Sequence, residues 1–254
     1  MAHEKDGAVS EQGPRTLEGW FVLHDFRRVR YDRWRALSSS EQHTAIEQLQ
    51  ELTRRHQAVD AARRGSFGLF ATAGHKADFL FLHLRPKLED LIEVERALDQ
   101  TLAGSVLTRG PSFVSVVELS NYVVARSEKP DPQRQQAVQA RLFPALPRKS
   151  HVCFYPMNKR RCEGANWYLL PLEQRRALMR QHGMSGKKFL DRVTQLVSGA
   201  IGLDDWEWGV TLFADDPLVF KHVVTSMRFD EVSARYAEFG PFYVGHRIPP
   251  DSLA

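Results

Sequence analysis

The feature that most constrains this fold is an order of strands and helices that occurs twice along the chain. Apolar residues that alternate with polar ones predict the strands, and apolar residues at helical spacing predict the helices. The first half therefore reads strand, helix, two strands, helix, strand. These elements are predicted at residues 16–29, 38–56, 66–72, 78–84, 87–104 and 112–120.

The second half follows a polar, proline-bearing connector, RSEKPDPQRQQ, and repeats much of this order. Its predicted elements are HVCFYPM as a strand, PLEQRRALMRQHG as a helix, WEWGVTLFA as a strand, DPLVFKHVVTSMRF as a helix and FGPFYVGHRI as a strand. Pro156 indicates that the first of these strands ends there or lies at an edge.

The duplication predicts an α+β fold of two tandem ferredoxin-like repeats. Each sheet would carry its helices on one face, so the other faces should pack together or close into one barrel around a shared core. The chain is divided into a flexible tail at 1–15, a first half at 16–128, a connector at 129–149, a second half at 150–248 that carries the functional site, and a tail at 249–254.

The composition predicts a folded cytoplasmic protein. Of 254 residues, 43% are hydrophobic and 26% are charged, which is typical of a well-cored globular chain. No apolar run is long enough to cross a bilayer, and the N-terminus lacks the apolar segment of a secretion signal. Cys153 and Cys162 lack the spacing of a zinc site and are expected to be reduced thiols. The net charge of +4 is dispersed and favours an anionic partner only weakly.

The common catalytic motifs are absent from the sequence. It contains no GxxxxGK[ST], GxGxxG, HExxH or GxSxG pattern. The stretch RGSFGLF is similar to the aromatic strand of an RNA-recognition motif, but an inserted serine breaks its spacing, and a buried strand explains it better. A ferredoxin-like fold alone does not identify a function.

Two residues of the second half are ordinary when judged by spacing alone. Tyr155 shares a strand face with Cys153 and Met157, as a half-buried tyrosine would. His182 follows Leu178 on the apolar side of its helix and precedes Gly183, where the helix is expected to end. A histidine at that position is favoured by the helix dipole without any metal.

Longer motifs change this interpretation. The stretches FYPMNKRR, WYLLPLEQRRALMRQHG, VTQLVSGAIGLDDWEWGVTLFADDP and MRFDEVSARYAEFGPFYVG resemble the chlorite dismutase-like haem protein family, and within it the branch of coproheme decarboxylases. The likeness extends from Thr16 to Ile248. It implies that the two repeats form a single dimeric α+β barrel and that five copies assemble into a ring.

The resemblance also implies roles for individual residues. His182 matches the ligand of the haem iron, Tyr155 matches a tyrosine that becomes a radical, and Gln195 matches a glutamine over the iron. Lys159 matches a lysine that assists the second decarboxylation. The residues expected to contact the porphyrin are Arg141, Tyr155, Pro156, Met157, Asn158, Lys159, His182, Gln195, Arg228 and Ser233.

The implied reaction uses hydrogen peroxide to decarboxylate two propionates of Fe-coproporphyrin III, called coproheme, giving the two vinyl groups of haem b. Coproheme would be both the substrate and the redox centre. An apolar slot edged with cations and hydroxyls suits such a macrocyclic polyanion. The expected partners are the porphyrin, four further copies of the chain, and coproporphyrin ferrochelatase in a transient contact, with neither nucleic acid nor membrane.

Several alternatives stay open at this point. Chlorite dismutase would use a distal arginine where this chain has Gln195, and the actinobacterial decarboxylases would use a histidine. A haem carrier or sensor would not need Tyr155, and an RNA-binding module would need neither Tyr155 nor His182. The connector segment PDPQRQQ is a candidate lid. Cys162 and the basic run KRR beside Lys159 are either a docking surface or solvated side chains.

Overall fold

The computed structural model describes residues 16–120 and 132–253 and has an α+β architecture. Its strands are β1 (Thr16–Val29), β2 (Ser66–Thr72), β3 (Phe79–Arg85), β4 (Leu107–Ser120), β5 (His151–Lys159), β6 (Arg161–Cys162), β7 (Ala165–Asn166), β8 (Thr194–Gly199), β9 (Trp208–Ala214), β10 (Ala237–Phe239) and β11 (Tyr243–Arg247). Its helices are α1 (Tyr31–Ala36), α2 (Ser39–Ala61), α3 (Leu88–Asp99), α4 (Leu102–Val106), α5 (Pro132–Leu142), α6 (Leu172–Lys187), α7 (Leu218–Arg228) and α8 (Glu231–Tyr236). Short 3-10 turns lie at Trp167–Leu169 and Pro250–Ser252.

The main sheet is antiparallel and closes on itself. Its hydrogen-bonded neighbours run β5, β11, β2, β3, β1, β4, β8 and β9, and β9 pairs back onto β5. The halves are joined at two seams, where β11 pairs with β2 and β4 pairs with β8. β10 continues the edge of β5 beyond β11. The prediction of an α+β fold with a large antiparallel sheet is thereby confirmed.

The inside of this closed sheet is the main core. Alternate residues of every strand in the ring meet there, including Val22, Phe70, Phe154 and Phe213. Each fully buried side chain of this size contributes roughly 1.5–3 kcal/mol relative to an exposed one. His24 is one of the few polar residues in this core, and its ring stacks on Phe154 at 3.9 Å between centroids. Its Nε2 lies 2.8 Å from the Thr211 hydroxyl, which satisfies one of its two nitrogens.

The helices cover the outer face of the sheet. In the first half α2 packs on β2 and α3 packs on β1, where Leu23 meets Leu91 and Val94. In the second half α7 packs on β9, and α6 packs mainly against α7 and α8. Phe67 lies beneath α2 and Phe70 lies inside the sheet, so the RGSFGLF segment is a buried strand, as predicted.

Three helix predictions need correction. The helix expected at 87–104 is two helices, because Thr101 starts a new one by accepting a hydrogen bond from Gly104 N at 2.9 Å. The helix expected to end at Gly183 continues to Lys187. The end of the second half contains an unpredicted helix, α8, which begins after Asp230.

Several strand predictions need correction as well. The strand expected at 112–120 begins at Leu107. The second half contains β8, which the sequence pattern missed and which completes the repeat. The final strand is interrupted and forms β10 and β11. Pro156 lies inside β5 and not at its end. Proline is tolerated there because β5 changes partner at this point, from β11 at Phe154 to β10 at Met157, so no neighbour requires its missing N–H.

The connector and the final segment are both structured in part. Residues 121–131, which include the start of the connector, lie outside the described residues, whereas 132–142 form α5, which packs on β1 and β4. Residues 249–253 lie against α2, where Arg54 pairs with Asp251 at 2.6 Å and Gln50 donates to the Leu253 carbonyl. Both cysteines are free thiols. Among the described helices, none has the length and apolar character needed to span a bilayer.

Candidate functional site

The candidate site is built on the outer face of β5, β9 and β8. Strand register places Tyr155 beside Val210, which pairs with Val197 on β8. The neighbouring row runs from Cys153 through Leu212 to Gln195. Gln195 and Val197 are exposed, and none of the described helices packs closely over this part of β8. An uncovered outer face therefore adjoins the strand that carries Tyr155.

Tyr155 is held in an aromatic group. Its ring stacks on Phe242 at 4.4 Å and lies 5.7 Å from Phe239. The Arg228 guanidinium lies over the same Phe239 ring, 3.9 Å from its centroid. Burial raises the pKa of the Tyr155 hydroxyl, the thiol of Cys153 adds to this, and the charge of Arg228 partly opposes it. Tyr155 therefore keeps its proton at neutral pH.

His182 is fixed by a carboxylate. Its Nδ1 lies 2.7 Å from Asp230 Oδ1, although the two residues are 48 positions apart in the chain. Asp230 also caps α8 by accepting from Val232 N at 3.2 Å. A carboxylate partner requires Nδ1 to carry the proton, which leaves the lone pair on Nε2. The imidazole is 31% exposed, whereas the Asp230 side chain is 2% exposed, so the carboxylate is buried and the imidazole is partly accessible.

Lys159 is a buried amine at the end of β5. Its Nζ lies 4.6 Å from the centre of the Trp167 ring, and its backbone N–H donates to Glu207 Oε2 at 2.6 Å. Burial lowers the pKa of Lys159 to about 8, and the negative charges of Asp230 and Glu207 oppose this effect. Asn158 supports the arrangement because its Oδ1 accepts from Glu207 N at 2.8 Å.

The structure brings only some of the predicted residues together. Tyr155 and Arg228 both contact the Phe239 ring. Asp230 is hydrogen-bonded to His182, and its negative charge also acts on Lys159. Met157 lies next to Phe239 in register. The Pro156 carbonyl accepts from Gly240 N at 2.9 Å, next to Phe239, and Asn158 meets Glu207. Three predicted residues have no described contact with these groups: Ser233 is buried in α8, Gln195 is exposed on β8, and Arg141 is exposed on α5.

Asp230, Glu207 and Trp167 were not identified from the sequence. Asp230 had a usable signal, because an aspartate directly before EVSARY is typical of a helix N-cap. No sequence signal indicated its bond to His182, because that pairing depends on how α6 lies over α8. Glu207 and Trp167 likewise reach Lys159 only through the folded chain.

These residues fit an iron porphyrin. A neutral imidazole with a free Nε2 is a suitable axial ligand for haem iron. Apolar side chains lie exposed around this half of the molecule, among them Val197 on β8 and Met184 on α6, and such surface suits a flat apolar ring. Arg228 and Lys159 supply the positive charge that propionates need. His182 would hold the iron, with Arg228 and Lys159 near the carboxylates.

Comparison with known proteins shows which family the chain resembles. Two proteins named coproheme decarboxylase, from two strains of Thermus thermophilus, are each 49% identical to this chain over 238 residues, which is 94% of both chains. A solved heme-binding protein from Thermus thermophilus is 48% identical, covers 95% of this chain and 96% of its own, and superposes with a TM-score of 0.89.

More distant structures share the fold alone. A variant of chlorite dismutase from Candidatus Nitrospira defluvii is 20% identical and superposes with a TM-score of 0.75 over 93% of this chain and 94% of its own. The family model described as chlorite dismutase matches residues 42–248. The resemblance inferred from the motifs is thus confirmed, and the chain belongs to the chlorite dismutase family.

Proposed function

We propose that this protein converts coproheme into haem b by oxidative decarboxylation of two propionates, with one hydrogen peroxide consumed for each. The observation that carries the proposal is the 49% identity, over 94% of both chains, to proteins named coproheme decarboxylase. Tyr155 and Lys159 support it, because chlorite dismutation would have no use for either residue.

Binding would rest on three kinds of contact. His182 Nε2 would ligate the iron, and Asp230 would hold the imidazole in the required tautomer. The outer face of β8 and β9 would lie against the ring. Arg228, Lys159, Arg141 and Ser233 would face the propionates, whose negative charges favour cations and hydroxyl donors.

Coproheme with peroxide supplies the oxidising equivalents. Tyr155 would give up an electron and its proton together, since burial keeps the hydroxyl protonated. The resulting tyrosyl radical would take a hydrogen atom from the propionate carbon next to the ring. Loss of a second electron and of CO2 from that side chain leaves a vinyl group. Each propionate thereby loses two electrons, which reduce one peroxide to two waters.

Lys159 and Gln195 would have different duties. Because the pKa of Lys159 is about 8, its ammonium can exchange a proton near neutral pH, which suits a residue that protonates or hydrogen-bonds at the second decarboxylation. Gln195 carries no fixed charge, so it would not hold an oxyanion such as chlorite as an arginine would.

The cellular setting of this reaction is part of the proposal. The protein would act in the cytoplasm as a homopentamer, and it would meet coproporphyrin ferrochelatase only transiently. Native mass spectrometry of the protein with and without coproheme would measure the number of subunits.

One experiment tests the proposed reaction. The purified protein is reconstituted with ferric coproheme, titrated with hydrogen peroxide, and the porphyrin mass is followed. Two successive losses of CO2 and two hydrogens are expected, through an intermediate with three propionates. Coproheme that stays intact after several equivalents of peroxide would contradict the proposal, as would rapid evolution of oxygen from chlorite in a parallel sample.

A further inference from the structure

A second cavity lies on the outer side of the first half, between α2 and α3. It has a volume of about 480 Å³, within the range of small-molecule sites. The apolar part of its walls comes from small side chains, including Ala58 and Val59 from α2 and Val94 and Ala97 from α3. Arg85 from the end of β3 also lines it. None of these residues belongs to the candidate porphyrin site.

Arg85 places a positive charge in this cavity that no described carboxylate contacts directly, although the charges of Asp60 and Asp90 act on it from a greater distance. The residue is only 5% exposed. Its Nη1 donates to the carbonyls of Ser66 at 3.0 Å and Leu84 at 2.9 Å, and its Nη2 lies 3.4 Å from His83 Nδ1. No carboxylate oxygen in residues 16–120 and 132–253 lies within 4 Å of the guanidinium, which differs from the buried Arg27 with its Asp25 and Asp99 partners.

The neighbouring histidines do not neutralise this charge. His56 and His83 meet edge to face with ring centroids 4.9 Å apart. Burial and the charge of Arg85 lower the pKa of His56 to about 3 and that of His83 well below its usual value. Both rings are therefore neutral, and Arg85 repels any cation that might ligate them. An anion bound against Arg85 would give this buried charge the direct partner that the described carboxylates do not provide.

We propose that this cavity binds an organic monocarboxylate, with its carboxylate against Arg85 and its apolar body between α2 and α3. The apolar walls favour a ligand with a hydrocarbon portion over an inorganic oxyanion, which would leave them in contact with water. Asp90 and Glu93 on the α3 side and Arg55 and Arg64 near α2 also line the cavity, so these outer charges balance one another and leave Arg85 as the one excess positive charge in the lining. The proposal is independent of porphyrin chemistry.

Hexanoate is a suitable probe, used with the full-length protein and calorimetric titration. Saturable binding with a dissociation constant on the order of 1 mM is expected, with hexanol binding at least tenfold more weakly. Arg85→Met should weaken hexanoate at least tenfold. Because loss of a buried arginine can unfold the chain, Ala58→Phe provides a second variant that fills the cavity and leaves Arg85 intact, and it should weaken binding equally.

Matched controls locate the binding event. Thr44→Phe introduces the same ring at an exposed position of α2 outside the cavity, and Arg35→Met removes an exposed arginine; both should bind hexanoate as the natural chain does. No binding up to about 10 mM, or binding unchanged in Ala58→Phe, overturns the proposal. Inorganic phosphate that competes as strongly as hexanoate overturns the assignment to a monocarboxylate.

Discussion

The two halves of this molecule share one topology but place different chemistry on their outer faces. His56 and His182 lie equally far from the last residues of α2 and α6. His56 is buried against His83 and Phe67 and has no carboxylate partner among the described residues, whereas His182 is partly exposed and bonded to Asp230. The partner and the exposure, rather than the helix position, distinguish a candidate iron ligand from a core histidine.

The coverage of the strands differs in the same way. In the first half α2 lies directly on β2 and α3 lies directly on β1. The cavity between the two helices is lined in part by small apolar side chains. In the second half α6 rests on α7 and α8, which leaves Gln195 and Val197 of β8 uncovered. A displaced helix therefore gives the second half the open apolar surface that a macrocycle needs.

The sharpest test of this comparison is to replace His182 and His56 by alanine in two separate variants. His182→Ala should remove the axial imidazole from bound coproheme and reduce product formation to background, because no other described side chain is held in its place. His56→Ala should cost about 1–3 kcal/mol of stability but leave the coproheme absorption spectrum unchanged. Absorption spectra and product yield measure both effects. A His56 variant that also loses iron ligation would overturn the distinction between the halves.

The next largest effect is expected when a tyrosine on the outer face of the sheet is compared with one on its inner face. Tyr155→Phe should bind coproheme with unchanged affinity but make product about 1,000-fold more slowly, since phenylalanine has no hydroxyl hydrogen to give up. Tyr243→Phe is the control, because this ring lies inside the closed sheet, 4.1 Å from Phe26. Single-turnover kinetics with peroxide would separate them, and equal rates for both variants would remove Tyr155 from the mechanism.

Lys159 should make stability depend on pH. Its pKa is lowered from 10.5 to about 8 in the folded protein, so between these values the unfolded chain holds a proton that the folded chain has released. Stability should therefore rise with pH across this window, by on the order of 3 kcal/mol. Urea unfolding of Lys159→Met should lack the rise, and the exposed Lys187→Met should retain it.

The same lysine has a kinetic consequence. Lys159→Ala should accumulate the three-propionate intermediate during peroxide titration, because the second decarboxylation loses its proton donor. Identical pH profiles for wild type and Lys159→Met, or no accumulation of that intermediate, would contradict the role given to the buried amine.

The smallest effect concerns the orientation of His182. Asp230→Asn should weaken coproheme binding about 10–100-fold, because a neutral amide holds the imidazole less well than a carboxylate. Asparagine still caps a helix, so α8 should persist. Asp216→Asn changes an aspartate that accepts from Leu218 N at the start of α7 and has no histidine partner. Spectroscopic titration should show no change for that control.

Much of the fold follows from the sequence because periodicity is a local property. Both faces of β1 were predictable, since Val22 and Phe26 alternate with Leu23 and Asp25 in the printed order. β8 was missed because TQLVSG is short and carries as many polar as apolar residues, and its strand conformation depends on β4 and β9.

The site was less predictable because its contacts join distant positions. Motif resemblance selected His182, Tyr155 and Lys159, but no local pattern indicates that Asp230 meets His182. Pro156 shows the opposite failure, since a sound local rule placed a strand end there, whereas the change of partner from β11 to β10 removes the reason for the rule.

The two seams of the closed sheet have a consequence for how the chain reaches its folded state. β2 gains its second neighbour only from β11 and β4 only from β8, and each of these pairs joins residues far apart in sequence. During synthesis the first half therefore emerges with two unpaired strand edges, which are sites of non-native association until the second half arrives. Such non-local pairing slows folding. Tyr155, whose neighbours Phe239, Phe242 and Val210 all belong to the second half, acquires its surroundings only after that half has been synthesised.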